Sequence, residues 1–490
     1  MFSQEQAPLF EGVRKHAANK PLQFHIPGHK TGKGMDKEFS EYIGENALSI
    51  DLINIEPLDD LHHPHGMIQE AQQLAAKAFG ADYTFFSVQG TSTPIMAMVM
   101  SVCKPGDKII VPRNVHKSVT SALIFSGAIP VFVHPQLDHT LGISHGITPE
   151  AVEKALEANP DAKAVLVINP TYFGVAADLA HIVEISHRYE VPVLVDEAHG
   201  VHIHFHAEMP VSAMAAGADL AATSVHKLGG SLTQSSILNL REGLVRHEQV
   251  QTVLSMLTST STSYILLASL DAARRQLATK GQDMNSHSIQ LANDARQSIN
   301  SIEGLYCAGK EILGSEAAFA MDPTKLLVSV KQLGISGSEA ERWLRTEKNI
   351  EVELSDLYNL LFLITPADTV EEIQQLIDAL TDLADLHQAE ISATEIEVSV
   401  PDIPVLSLSP RDAFYADTEA IPLAEAEGRI SAESIMVYPP GIPIFIPGEI
   451  ISAENISYIK RNLEAGLPVQ GLMDESIEYI RVIKEHRAFR

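Results

Sequence analysis

Apolar residues recur along this chain in two rhythms. Short β-branched or aromatic runs appear at TFFSV (84–88), KIIVP (108–112), IPVFV (129–133), AVLVI (164–168), VPVLV (191–195) and LAATSV (220–225). Between them lie segments whose apolar positions repeat every three or four residues, such as PEAVEKALEANP (149–160) and LAHIVEISHRYE (179–190). A nearly unbroken apolar strand has no wet face. Strands alternating with helices at this spacing build βαβ units, so the pattern predicts a doubly wound α/β domain with a sheet covered on both sides. From about 245 to 300 the period becomes long and helical. KLLVSV (325–330), IEVELSD (350–356) and LLFLIT (360–365) then predict strands, and VEEIQQLIDALTDLADLH (370–387) an amphipathic helix, together a smaller α+β domain. IMVYPPGIPIFIPGE (435–449) is too rich in proline for a central strand. The expected organisation is an N-terminal arm (1–45), a large α/β domain (46–270), a small α+β domain (271–387), a Ser/Pro/Glu-rich linker (388–410) and a C-terminal domain (411–490).

Composition narrows the chemistry. The 490 residues are 45% hydrophobic and 20% charged, the balance of a globular chain with a sizeable core. Lys and Arg number 35 against 63 Asp and Glu, a net charge of −28, and no run of basic residues interrupts that field. It repels a nucleic-acid backbone and attracts cations. Two cysteines, Cys103 and Cys307, form no Cys-x-x-Cys pair, which suits a reducing compartment. The N-terminal twenty residues lack the apolar core of a secretion signal, and nowhere do about 18 apolar residues run together. A soluble, cytoplasmic protein is expected.

Two tempting motifs fail. GHKTGKG (28–34) has three residues rather than four between Gly28 and Gly32, and Gly34 stands where a phosphate loop needs Ser or Thr. DEAH (196–199) has the letters of a helicase box but no phosphate loop to work with. His202, His204 and His206 alternate, so on a strand they would share a face as zinc ligands do. A polar cleft wall explains them as well, and no metal is expected.

Three other segments converge on one cofactor. Asp196, in VDEAHG, follows the apolar strand VPVLV at its carboxyl end, where open α/β sheets place ligands. Lys227, in ATSVHKLGGS, lies 31 residues later, again just past a strand. SVQGTST (87–93) runs from a strand through a small-residue turn into a helix, offering N–H groups, hydroxyls and a helix dipole to a phosphate. A phosphate cradle, an acid and a lysine at strand ends are what pyridoxal phosphate requires: the lysine for the Schiff base, the acid to keep the pyridine nitrogen protonated.

With these residues in view, the chain resembles the bacterial ornithine/lysine/arginine decarboxylase family of pyridoxal-phosphate enzymes, and within it the short biosynthetic arginine decarboxylases of Gram-positive bacteria. The likeness runs through FHIPGHK, SIDLINIEPLDDLH, VQGTST, PRNVHKS, INPTYFG, VDEAHG, SVHKLGGSLTQSS and PPGIPIFIPGE. It implies the aspartate-aminotransferase fold (fold type I) for the large domain, followed by the smaller α+β domain and the C-terminal domain. It implies Lys227 as the Schiff-base lysine, Asp196 on the ring nitrogen, His116 stacked on the ring, Gly90, Thr91, Ser92 and Ser224 on the phosphate, His199 beside the cofactor, and His226 as a proton-transfer group. TSTSTSY (258–264) matches a segment that reaches a neighbouring subunit's phosphate in the family, which implies at least a homodimer with the active site at the interface. The additional N-terminal domain of the family's long members is not in this sequence, so their decameric assembly is not expected.

The implied reaction is decarboxylation of L-arginine to agmatine for polyamine synthesis. Lysine or ornithine, giving cadaverine or putrescine, remains the alternative, and an aminotransferase or C–C lyase on the same fold is a third possibility. A cationic side chain needs an acidic pocket. The candidates are Glu353 and Asp356, with Glu56, Asp59 and Asp60 behind them. Glu353 comes first because it sits in a strand-like segment.

Overall fold

In a computed structural model, residues 3–387, 401–437, 442–464, 469–474 and 476–484 are described; most of the expected linker (388–400) and part of the proline-rich segment (438–441) lie outside them. The chain divides into two compact units, one formed by 1–102 with 186–285, the other by 103–185 with 286–490. The principal strands are β1 (Tyr83–Ser87), β2 (Lys108–Pro112), β3 (Ile129–Val133), β4 (Ala164–Ile168), β5 (Val193–Asp196), β6 (Leu220–Thr223), β7 (Ser236–Leu240), β8 (Lys325–Ser329) and β9 (Asn359–Leu363).

In the first unit the strands lie in the order β1-β7-β6-β5. β5 and β6 are parallel, while β7 runs antiparallel to both β1 and β6. β1, β5 and β6 therefore point the same way, and the loops after them emerge at one edge of the sheet. The start of β7 returns to that same edge. These strands are buried along almost their whole length, as the apolar runs predicted. β7 was not among the predicted strands, because Ser236 and Asn239 interrupt its apolar pattern. Both are buried, and Thr84 Oγ1 donates to Asn239 Oδ1 at 2.6 Å across the sheet. Helix Pro8–Ala18, helix Met67–Phe79 and the first turns of helix Tyr264–Ile299 build the adjoining core around Leu9, Ile68, Phe79, Tyr264 and Leu267.

In the second unit β4, β2 and β3 lie side by side and parallel. β8 and β9 pair antiparallel in a second sheet, flanked by short strands at Tyr306–Cys307 and Leu354–Ser355. The predicted strand over 350–356 is thus only two residues long, since the chain turns at Asp356 into β9. Helices Gly337–Lys348 and Val370–Leu386 open with capping boxes, Ser336 with Glu339 and Thr369 with Glu372, and cover this sheet through Leu344, Leu376 and Leu380. Farther on, the segment expected to be too proline-rich for a central strand supplies one after all, the proline-free Ile435–Val437 at the middle of a three-stranded sheet. Pro443 falls in the edge strand Ile442–Phe445, where a missing N–H costs no ladder bond. Among the described residues no helix is long and apolar enough to cross a membrane.

The alternating histidines are not on a strand. Ile203–Phe205 is a 3₁₀ turn, so His202, His204 and His206 share no face. The buried His204 Nε2 lies 2.8 Å from Glu197 Oε2, and Glu197 also accepts from Thr223 Oγ1 at 3.0 Å and Ala213 N at 2.7 Å. A carboxylate buried this completely needs that many donors. His202 receives Asn285 Nδ2 on its carbonyl at 3.0 Å, and His206 Nδ1 accepts from Glu208 N at 3.2 Å.

Candidate active site

Three strand ends of the first unit bring eight of the predicted residues to one sheet edge. After β1, Gly90 takes φ +71°, a conformation glycine adopts without strain, and donates its N–H to Gln234 O at 2.7 Å. Thr91 follows, and the eleven-residue helix Ser92–Val102 begins at once, its first N–H groups left for a ligand. After β6, Ser224 precedes the helical turn Val225–Leu228. The buried hydroxyls of Thr91 and Ser224 are hydrogen-bonded to each other, which joins the two loops. Gly229 closes the turn, where an added Cβ would lie 2.7 Å from Val225 O.

Asp196 ends β5 and is buried, 5% exposed. Burial pushes its carboxyl up to about 6, against the opposing pull of the Ala198 N–H and the Lys227 charge. One oxygen accepts from Ala198 N at 3.2 Å. A carboxyl kept in this state is short of cationic and N–H partners, and a protonated ring nitrogen supplies both. Lys227 is exposed in the single chain, and its Nζ donates to the buried His199 Nε2 at 2.6 Å. His226 Nδ1 donates to Ser235 O at 2.8 Å, which fixes a neutral ring as the Nδ1–H tautomer and turns Nε2 into its acceptor. A deep carboxylate, an amine and a hydroxyl-lined helix N-terminus at one edge fit pyridoxal phosphate.

His116, Glu353 and Asp356 belong to the second unit. His116 is the N-cap of helix Lys117–Ser126, its Nδ1 accepting from Ser118 N at 3.2 Å with Ser118 Oγ at 2.8 Å. Glu353 is exposed, and one of its oxygens accepts from Tyr172 Oη at 2.5 Å. Burial and that carboxylate push the Tyr172 hydroxyl up, so it stays a donor. Lys325 Nζ donates to Tyr172 O at 2.7 Å from a buried position. Tyr172 was not singled out from the sequence; its only signal was its place in INPTYFG.

Asp356 is spent on structure. It accepts from Tyr358 N at 2.9 Å, Asn359 N at 2.7 Å and Asn359 Nδ2 at 2.9 Å, and burial raises its carboxyl. Asp59 is likewise committed, accepting from Asp60 N at 2.8 Å, His65 N at 3.0 Å and Gly66 and Ile68 N at 2.9 Å, ahead of helix Met67–Phe79. Asp356→Ala is therefore expected to destabilise the fold by about 1–3 kcal/mol, the effect of stranding buried donors, while leaving substrate preference unchanged. Thermal unfolding beside a substrate panel checks this.

This arrangement is that of a pyridoxal-phosphate enzyme of fold type I. Residues 7–372 match the model of the Orn/Lys/Arg decarboxylase major domain and residues 393–475 that family's C-terminal domain, and the chain belongs to this family. It is 65% identical over 489 residues, all of both chains, to a protein of Bacillus subtilis strain 168 named arginine decarboxylase. The crystal structure of the Francisella novicida lysine decarboxylase LdcF shares the fold with a TM-score of 0.84 at 23% identity, covering 98% of this chain and 81% of that one. A ureidoglycine-glyoxylate aminotransferase of Bacillus subtilis matches 67% of this chain and 87% of its own with a TM-score of 0.54 at 15% identity.

Proposed function

We propose that this protein converts L-arginine to agmatine and CO₂ in the cytoplasm, as a homodimer or larger assembly of this chain, and so supplies polyamine synthesis. The observation that carries the reaction class is the buried Asp196, pushed up to about 6, on the strand end beside that of Lys227. When bound, pyridoxal phosphate supplies a pyridinium that accepts the electron pair left by a departing carboxylate. Asp196 holds the proton on the ring nitrogen. Lys227 Nζ would hold the cofactor, and His199 Nε2, 2.6 Å away, would keep the lysine amine oriented. Thr91, Ser224 and the N–H groups of Thr91 and Ser92 would take the phosphate, the Gly90 N–H being held by Gln234 O. His116 would cover one face of the ring, as the family resemblance implies. Lys227, or His226 once Nε2 has taken up a proton, would return a proton to the substrate α-carbon, a role worth on the order of 10² to 10⁴ in rate.

Arginine is preferred over lysine and ornithine because the full-length relative of known name acts on arginine and because Glu353 is an exposed carboxylate held by a neutral donor. A carboxylate fixed from one side offers its remaining lone pairs to a planar guanidinium. CO₂ release measured in parallel is expected to favour arginine by about 10² or more over the other two. Equal or faster release from lysine or ornithine refutes the substrate assignment, and amino transfer to a keto acid without CO₂ refutes the reaction class. Glu353→Gln is expected to raise the KM for arginine about tenfold with little change in kcat, the loss of one charge-assisted hydrogen bond.

A further inference from the structure

The motif that carries His116 also carries an arginine, three residues earlier, that the reaction does not use. Arg113 opens the turn out of β2, its own N–H bonded to Val133 O at 2.8 Å, and it is 1% exposed. Its guanidinium meets the buried Glu449 in a bidentate pair, Nη1 to Oε1 at 2.6 Å and Nη2 to Oε2 at 2.7 Å. Nε and Nη2 also donate to the carbonyls of Pro443 and Ile444 at 3.0 and 3.3 Å. Glu449 is held in turn by Ile446 N at 2.8 Å. The stretch 443–449 is thereby fastened to the root of the His116 turn.

The far end of the same helix is gripped by the same part of the chain. Arg411 Nε donates to Ile124 O at 2.8 Å and its Nη2 donates to Phe125 O, two carbonyls of the last turn of Lys117–Ser126. Gly127 ends that helix at φ +74°, and a Cβ there would sit 2.7 Å from Arg411 Nη1. A helix this short has little stability of its own, and the direction of its N-cap depends on what holds its two ends.

We propose that the C-terminal segment is a splint for this helix, with Arg113, Glu449 and Arg411 as positioning residues that set the attitude of the His116 ring. A buried ion pair gains little stability over apolar side chains of like volume, so its use here is geometric. Only Asn114 and Val115 separate the clamped Arg113 from His116, and Ser118 already locks the imidazole to its own turn. The inference rests on His116 covering the cofactor.

The test uses the full-length holoenzyme carrying Arg411→Met or the paired Arg113→Met/Glu449→Met, each made with His116 intact and with His116→Asn, which keeps a capping side chain but removes the ring. With His116 present, either change is expected to lower kcat by up to about 10², with a smaller change in KM and a shifted visible absorbance of the bound cofactor. With His116→Asn, the same changes are expected to cost no more than about twofold further. Full losses in both backgrounds, or unchanged kcat and absorbance, overturn the splint. Unchanged activity of His116→Asn alone overturns the His116 reading and the splint with it. Arg411 is only half-buried, so Arg411→Met decides the matter if the paired variant does not fold.

Discussion

Lys227→Ala is expected to abolish the visible absorbance of the bound cofactor and to lower kcat/KM by about 10⁴, the upper range for a group that transfers protons at the reacting atom. The size follows from the number of tasks placed on one amine. Nζ lies at the carboxyl end of β6, on a helical turn whose Gly229 tolerates no side chain, and it faces His199 Nε2 at 2.6 Å. No other lysine stands on the three loops after β1, β5 and β6 among residues 88–92, 197–200 and 224–230. The phosphate groups remain in place, so Lys227→Ala is expected to keep some affinity for the free cofactor, measurable by fluorescence quenching. An external primary amine is expected to restore part of the rate. A variant that retains the absorbance and the turnover removes Lys227 from its role.

Asp196→Ala is expected to bind the cofactor weakly and to turn over about 10³ more slowly, comparable to removing a preorganised electrostatic partner from another active site. The pH dependence gives a second check, and its sign follows from burial. The carboxyl sits at about 6 in the protein rather than near its ordinary value of about 3.9, so the cofactor-free site is ionised only above about 6. A cationic ring nitrogen favours the ionised form and draws that value down. Cofactor affinity is therefore expected to be full above about pH 6 and to weaken as the pH falls through it. For the cofactor-free fold the sign is opposite to that of a salt-bridged carboxylate. The folded protein holds this proton more tightly than the unfolded chain does, so the stability contributed by Asp196 is lost as pH rises from about 3.9 to about 6. Asp196→Asn is expected to flatten the affinity profile, and an unchanged inflection near pH 6 places it on another group.

Most of the fold was legible wherever burial on both faces made a strand uniformly apolar. KIIVP, IPVFV and AVLVI became β2, β3 and β4 residue for residue. β7 was not legible, because Asn239 is polar and yet buried, and only its cross-strand partner Thr84 makes that placement tolerable. The histidine alternation misled for the reverse reason: a period of two describes a strand only if the backbone is extended, and here the buried Glu197 draws His204 into a turn. For the site, Asp196, Lys227 and the Gly90–Ser92 turn could be found because each follows a strand and strand ends gather ligands.

What the sequence determined by itself is the chemistry on offer: an acid, an amine and a phosphate cradle spaced by βαβ units, in a chain whose −28 charge turns away polyanions. What only the tertiary structure decided is which carboxylates are free to act. Glu353, Asp356 and Asp59 are equivalent acids in the sequence, but Asp356 and Asp59 are consumed by backbone N–H groups that must be satisfied once buried, while Glu353 meets a single hydroxyl. The clamp of Arg113 on Glu449 is likewise invisible in the sequence, for 336 residues separate them and only folding brings a buried charge to its counter-charge.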